Sequence, residues 1–302
     1  MTAALGLSAA LAIDLALGEP PERIHPVVAM GRAISALETL APHEPRRARA
    51  FGLLLPLVPA VAAALAGALL GRVGPAPLRF VAVAWMLKSS FALRSLLAAS
   101  RRVERSLARE DLASARRELR GLVSRPTADL PAHAIASAAI ESLAENLCDS
   151  YAAPLLFHRC AGLAAALAYR AVNTADAMVG YRGRYEDLGK AAARLDDALN
   201  YAPARLSALA LVAAAPFAGG SARDAWRVAL AHHGRTASPN AGWPMAAAAG
   251  ALGLRLAKAG HYSLGTGNAP GPGDIRRARR HVAIAAALIT ICVLASYPRA
   301  AS

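Results

Sequence analysis

The densest run of ionisable side chains is Glu141-Ser-Leu-Ala-Glu145-Asn146-Leu-Cys-Asp149. On a helix, positions i, i+4 and i+8 share a face, which puts Glu141, Glu145 and Asp149 in a row with Asn146 beside them. Like charges at that spacing repel, so the row needs a counter-charge. Either a hard divalent cation such as Mg²⁺ supplies it, holding phosphate oxygens in turn, or nearby arginines do. A second set runs Asn173-Thr174-Ala-Asp176-Ala-Met-Val-Gly180-Tyr181-Arg182, followed by Arg194-Leu195-Asp196-Asp197 and Asn200. Interleaved carboxylates, amides and guanidiniums suit a site that handles metal and phosphate together, with Arg forks on the phosphate. A solvated loop has the same composition. Ser238-Pro239-Asn240-Ala241-Gly242-Trp243-Pro244 and Gly18 to Pro26 are rigid polar turns of the kind found at membrane interfaces. Taken alone, each is more often structural than catalytic.

Several familiar motifs fail. Gly183 to Lys190 is one residue too long for a P-loop and is followed by Ala rather than Ser or Thr. Gly265-Thr-Gly267 lacks the strand–turn–helix setting of dinucleotide binding. His232-His233 is an adjacent pair whose rings diverge on a helix, a poor zinc site. No GxSxG nucleophile elbow occurs.

The elements that must position these residues are helices in an apolar chain. Of 302 residues, 56% are hydrophobic and 18% charged, and mean hydropathy is +0.34, against about a quarter charged in ordinary soluble domains. That excludes a disordered tail, a collagen-like fibre and a disulfide scaffold. The net charge of +14 invites a nucleic-acid reading. Its basic runs, however, Arg46-Arg47-Ala48-Arg49, Arg101 to Arg125 and Arg276 to Arg280, lie between apolar segments, as in Arg-rich membrane-protein loops. Nucleic acid is not an expected partner. Cys148, Cys160 and Cys292 form no CxxC, and no disulfide framework is expected. Met1 to Leu17 lacks a positive n-region and reads as a retained first helix.

Phe51 to Leu70 is the clearest membrane span. Phe80 to Ala99, interrupted by Lys88 and Arg94, pairs with it as a hairpin. Later apolar stretches are Tyr151–Tyr169, Ala204–Gly219, Gly242–Ala257 and His281–Tyr297. The last is a span, whereas His158 and Arg159 break Tyr151–Tyr169 into a re-entrant or internally packed segment. Val103, Leu107, Leu112, Ala115, Leu119 and Leu122 recur at near-helical spacing in a polar amphipathic region. Gly265 to Gly273 reads as a flexible loop. The expected fold class is all-α: a polytopic helical membrane bundle, residues 1–302 as one domain, with polar helical and loop connectors and four to seven spans.

In this order the residues resemble one family, the adenosylcobinamide-phosphate synthases of cobalamin biosynthesis (CobD/CbiB). The matching blocks are Asp14 to Pro26 with Gly31, Ala139 to Asn146, Ala153-Pro154-Leu155, Asn173-Thr174 through Arg182, Ala193 to Asp197 with Pro203-Ala204-Arg205, Ser238 to Pro244, and Asp274-Ile-Arg-Arg-Ala. The resemblance covers nearly the whole chain. It implies a multi-pass enzyme of the bacterial inner (cell) membrane, its site facing the cytoplasm. Its expected reaction joins the f-side propionate carboxylate of (adenosyl)cobyric acid to (R)-1-amino-2-propanol or its O-phosphate, with ATP as co-substrate and Mg²⁺ as cofactor.

On that footing Glu141, Glu145, Asn146 and Asp149 would hold metal. Lys88, Asn173, Arg182, Arg194, Arg205, Ser238 and Asn240 would bind phosphate and substrate, and Asp176, Asp196 and Asp197 stand equal as the base. Membrane lipid and other corrinoid-pathway membrane enzymes are the remaining expected partners. Two departures stand out. Arg125-Pro126-Thr127 occupies a place where members often have Arg-Asp-Thr, and Asp149-Ser150 one where they have Asp-Gly. Proline removes a carboxylate and an N–H, with Asp129 the substitute to check. Two rivals remain open. A UbiA-like Mg-dependent membrane transferase would carry NDxxDxxxD, of which Asn173-Thr-Ala-Asp176 is only a fragment. A corrinoid-binding membrane transporter would suit helices broken near Pro154 and Pro244.

Overall fold

The computed structural model describes residues 3–181 and 183–298. In chain order the helices are α1 (Ala3–Leu17), α2 (Pro26–Glu38), α3 (Pro45–Phe51), α4 (Leu54–Leu70), α5 (Ala76–Lys88), α6 (Leu93–Ala108), α7 (Leu112–Leu119) and α8 (Ala132–Leu147). A π-helical turn, Cys148–Ala152, leads into α9 (Ala153–Val179), α10 (Lys190–Leu199), α11 (Tyr201–Ala214), α12 (Ala222–His232) and α13 (Gly242–Leu252). A hairpin of β1 (Leu256–Lys258) and β2 (Tyr262–Leu264) precedes α14 (Pro272–Ala295). The chain is a helical membrane protein. Among the described residues four helical stretches are long and apolar enough to cross a bilayer: Pro45–Leu70, Ala76–Ala108, Ala132–Val179 and Pro272–Ala295. On α4, Leu54, Leu57, Val61, Leu65 and Leu69 are exposed, an apolar stripe at helical spacing that lipid would cover.

The contacts divide the chain into two compact units, one built from residues up to Ala92, Ala153–Asn200 and Val293 onward, the other from Leu93–Ala152 and Tyr201–Cys292. In the first unit α4 packs along α9, with α2 and α10 against both and α1 against α5. Ile34, Leu55, Ala175, Val179, Leu188 and Ala192 form its core cluster. A Cβ on Gly67 would fall 3.1 Å from the Ala164 backbone, so a small residue sets the α4–α9 approach. Helix α9 is two helices joined at Ala161 and Gly162. Gly162 sits at φ +74° with nothing near its missing side chain, a conformation that glycine adopts without penalty.

In the second unit α6 packs on α7 and α8, α13 on α11 and α12, and β1 on α8. The antiparallel hairpin pairs Leu256 with Leu264 and Lys258 with Tyr262. Helix α13 is buried nearly all round. Its 11 residues rise only about 16 Å, short of the roughly 30 Å hydrocarbon core. The Gly242–Ala257 stretch is therefore core followed by a strand, not a span. Ala204–Gly219 is likewise too short: α11 has 14 residues and yields to a 3₁₀ turn at Pro216–Ala218. Phe80–Ala99 breaks after Lys88, where the Ser89 and Ser90 hydroxyls donate to the carbonyls of Trp85 and Leu87. The Gly265–Gly273 loop is tied down, with Gly265 N–H donating to His232 Nδ1 at 2.9 Å and Arg255 N–H to the Asn268 carbonyl at 2.8 Å.

Candidate functional site

In the first unit the crossing of α10 on α9 joins the two halves of the second motif set. Asn173, in the penultimate turns of α9, donates from Nδ2 to Asp196 Oδ1 at 3.1 Å. Asn200, the cap of α10, donates from Nδ2 to Asp196 Oδ2 at 2.9 Å. Each amide is held from behind: Arg170 Nη1 donates to Asn173 Oδ1 at 2.9 Å, and Tyr169 Oη–H to Asn200 Oδ1 at 2.9 Å. Tyr169 in turn stacks on Phe157. Burial pushes the Asp196 carboxyl above its ordinary range and the Asp197 charge adds to this, while the two amide donors and Arg170 oppose it. Asp197 and Asp176 are half-buried and Arg194 is exposed. Asp176 folds back over Gly180, whose N–H donates to the Asp176 carbonyl at 2.7 Å. A Cβ on Gly180 would collide with the Asp176 carboxylate. Arg182 lies outside the described residues.

Lys88 has a different setting from the phosphate-facing one expected of it. It is fully buried, with Nζ 2.7 Å from Glu19 Oε1 and 3.2 Å from Asp14 Oδ1. It also donates to the Phe91 carbonyl at 3.4 Å. Glu19 bonds His25 Nε2 at 2.8 Å, and His25 Nδ1 accepts the Val27 N–H at 3.2 Å, capping α2. Burial alone would raise Glu19; the hydrogen bonds and charges of His25 and Lys88 outweigh it and hold the carboxyl below its ordinary 4.5.

In the second unit the acidic row does not persist. Helix α8 ends at Leu147 and Asp149 sits in the π turn, whose wider winding takes it out of the i, i+4, i+8 line. Glu141 is buried and answered by protein groups: Ser137 Oγ at 2.7 Å, Tyr262 Oη at 3.0 Å and Arg125 Nη2 at 3.2 Å. The arginine alternative supplies its counter-charge. Burial, then the charges of Glu141 and Glu145, push the Tyr262 phenol far up, so it remains a donor. Asn146 donates to the Ser142 carbonyl at 3.0 Å and accepts from Ser150 Oγ at 2.8 Å. Among the described residues no three His, Cys, Asp or Glu side chains gather as a metal cage. Glu141 and Asn146 are thus engaged by protein groups, and the row forms no preformed cage among the described residues.

Arg205 lies in the same unit in a stack the sequence did not announce. Its guanidinium sits 3.5 Å from the Tyr201 ring centre and 5.2 Å from that of Trp243, against whose indole His233 stacks at 4.1 Å. Arg205 Nη1 donates to Asn240 Oδ1 at 3.1 Å, and the Asn240 N–H donates to Ser238 Oγ at 3.2 Å. The site partners missed in the sequence are Tyr169 and Arg170, Ser137, Arg125 and Tyr262, and Tyr201. Only Tyr169 and Arg170 carried a signal, preceding Asn173 on one helical face. Asp129 is exposed.

Comparisons with known proteins agree on one family. The model for CobD/Cbib proteins matches residues 7–291. The chain is 45% identical over 260 residues to the cobalamin biosynthesis protein CobD of Dehalococcoides mccartyi (strain CBDB1), covering 85% of this chain and 84% of that one. It is 45% identical over 251 residues to CobD of Geobacter metallireducens, covering 82% and 79%. With CobD of Mycobacterium tuberculosis the identity is 40% over 288 residues, covering 92% and 90%. No solved structure matches.

Proposed function

This chain belongs to the CobD/CbiB family of cobalamin biosynthesis, and on that premise we propose that it is an ATP-driven ligase. It joins the f-side propionate of adenosylcobyric acid to (R)-1-amino-2-propanol or its O-phosphate. A carboxylate is a poor acyl donor, so the γ-phosphoryl of ATP passes to it and ADP leaves. The amine lone pair then attacks the acyl carbon. The C–N bond forms, the tetrahedral oxyanion collapses, the C–O bond to phosphate breaks and phosphate leaves with the electron pair. One amine proton passes to a carboxylate of the Asp176, Asp196, Asp197 set. Phosphate charge is met by arginine forks, with Arg194, in the same unit as Asn173 and Asp196, as the candidate. No step is assigned to a metal cage, because Glu141 and Asn146 are engaged by protein groups. The enzyme works as a multi-pass protein of the cell membrane with these polar groups on the cytoplasmic side.

The observation that carries this reading is the Asn173–Asp196 bond, which unites two motif stretches of the family resemblance around a buried carboxylate. The test is purified protein in detergent with adenosylcobyric acid, Mg-ATP and each form of the amine, followed by mass spectrometry. The expected product has the summed mass of corrinoid and amine less one water, and requires ATP. Corrinoid flux in proteoliposomes without product would favour the transporter instead.

A further inference from the structure

We propose that the outward amide hydrogen of Asn173 is the donor that stabilises the acyl oxyanion, its polarity locked by Arg170 on one side and Asp196 on the other. The inference rests on the amidation reading above.

An asparagine amide can usually turn over and exchange its donor and acceptor ends. Here it cannot. Arg170 offers only donors, so the end of Asn173 that faces it at 2.9 Å must be the carbonyl oxygen. Nδ2 therefore faces Asp196, where one of its two hydrogens is used at 3.1 Å. The other has no acceptor among the described residues, and Asn173 is half-buried rather than enclosed. The Tyr169–Asn200 branch brings a second donor to the opposite oxygen of Asp196. Both oxygens of that 8%-exposed carboxylate are thus occupied. On this proposal Asp196, held by a donor on each oxygen, takes the positioning role within the set Asp176, Asp196 and Asp197 and leaves the proton of the amine to Asp176 or Asp197. An N–H fixed in advance at the place where negative charge develops needs no reorganisation as the tetrahedral oxyanion forms.

The polarity makes the lock testable by exchange. Asn173→Asp places a second carboxylate against Asp196, so the melting temperature in detergent falls, by about 5 °C for a lost buried bond. Adding Asp196→Asn restores every bond with the two residues exchanged: Arg170 donates to Asp at 173, Asn at 196 donates to that Asp, and Asn200 donates to Asn at 196. The double variant is expected to regain its melting temperature and not its activity, because no hydrogen remains on residue 173. Asn173→Ala is expected to lower kcat by about 10²–10³ with KM little changed, and Asp196→Asn alone to keep the acid limb of the pH–rate profile. Recovery of both stability and kcat in the exchange variant would overturn the donor role. So would a rise in KM alone for Asn173→Ala. An unchanged melting temperature in Asn173→Asp would overturn the lock, and loss of the acid limb in Asp196→Asn would make Asp196 the base. Failure of the wild-type chain to form amide would instead sink the amidation reading and the donor role with it, while the melting data would still report the lock.

Discussion

At the scale of single residues, this protein spends its buried charges on one another. Lys88 is enclosed by Asp14 and Glu19, and a buried ion that loses its partner costs far more than the pair contributes. Lys88→Met is therefore expected to lower stability by about 3–5 kcal/mol, read as a large fall in melting temperature in detergent. Glu19 adds a pH dependence. Its folded carboxyl titrates below the ordinary 4.5, so its contribution is present above that value and lost as pH falls through the depressed one. Melting temperatures of the wild type should drop more steeply below pH 4.5 than those of Glu19→Gln. Around Glu141, Tyr262→Phe removes one donor from a buried carboxylate, a cost of about 1–3 kcal/mol. Ser137→Ala does more than break one bond, since Ser137 Oγ also accepts the Ala257 N–H at 2.8 Å and so holds β1 to α8. Equal melting temperatures for Ser137→Ala and wild type would refute that attachment.

At the scale of elements, glycine acts in two separable ways. Gly250 permits a close approach: a Cβ there would fall 2.3 Å from the Asp224 carbonyl oxygen, which is backbone and cannot yield. Gly250→Ala should therefore part α12 from α13 and cost about 1–3 kcal/mol. Gly162 has open space around it and φ +74°. With ψ −165° it lies in a region that essentially only glycine adopts, so Gly162→Ala should cost about 1–3 kcal/mol through conformation alone, and Gly162→Asn no less. If the alanine variant melts no lower than wild type, α9 straightens without penalty and the kink is not fixed by this residue. The π turn at Cys148–Ala152 has the comparable effect of re-aiming Asp149.

At the scale of the whole molecule, lipid serves as part of the solvent. The uncovered stripe on α4 and four apolar stretches of spanning length predict that the protein stays with membranes through an alkaline carbonate wash and leaves them only with detergent. Release by the wash would contradict the spans. The chain passes between its two compact units several times, so the family's motif residues are shared between them. Asn173, Asp176, Arg194, Asp196 and Asp197 belong to one unit. Glu141, Arg205, Ser238 and Asn240 belong to the other.

Helical class, the Phe51–Leu70 span and the family resemblance were legible in the sequence, because hydrophobic run length, i to i+4 periodicity and motif order are local properties of the chain. Whether the apolar stretches that became the short helices α11 and α13 cross a bilayer was left open by the sequence, since composition alone does not reveal whether protein or lipid covers an apolar face. The acidic row failed at Asp149 because the i+8 rule assumes uninterrupted α geometry. Arg125 and Tyr262 were invisible as partners of Glu141, whereas Asn200 was read in the same set as Asp196 and Arg170 carried a helical-spacing signal, but the bonds that join them were not legible. Such pairings depend on how helices cross and on which end of each amide its neighbours demand. Sequence supplied the chemical groups; tertiary structure decided which were neutralised, which were aimed, and which hydrogen was left open.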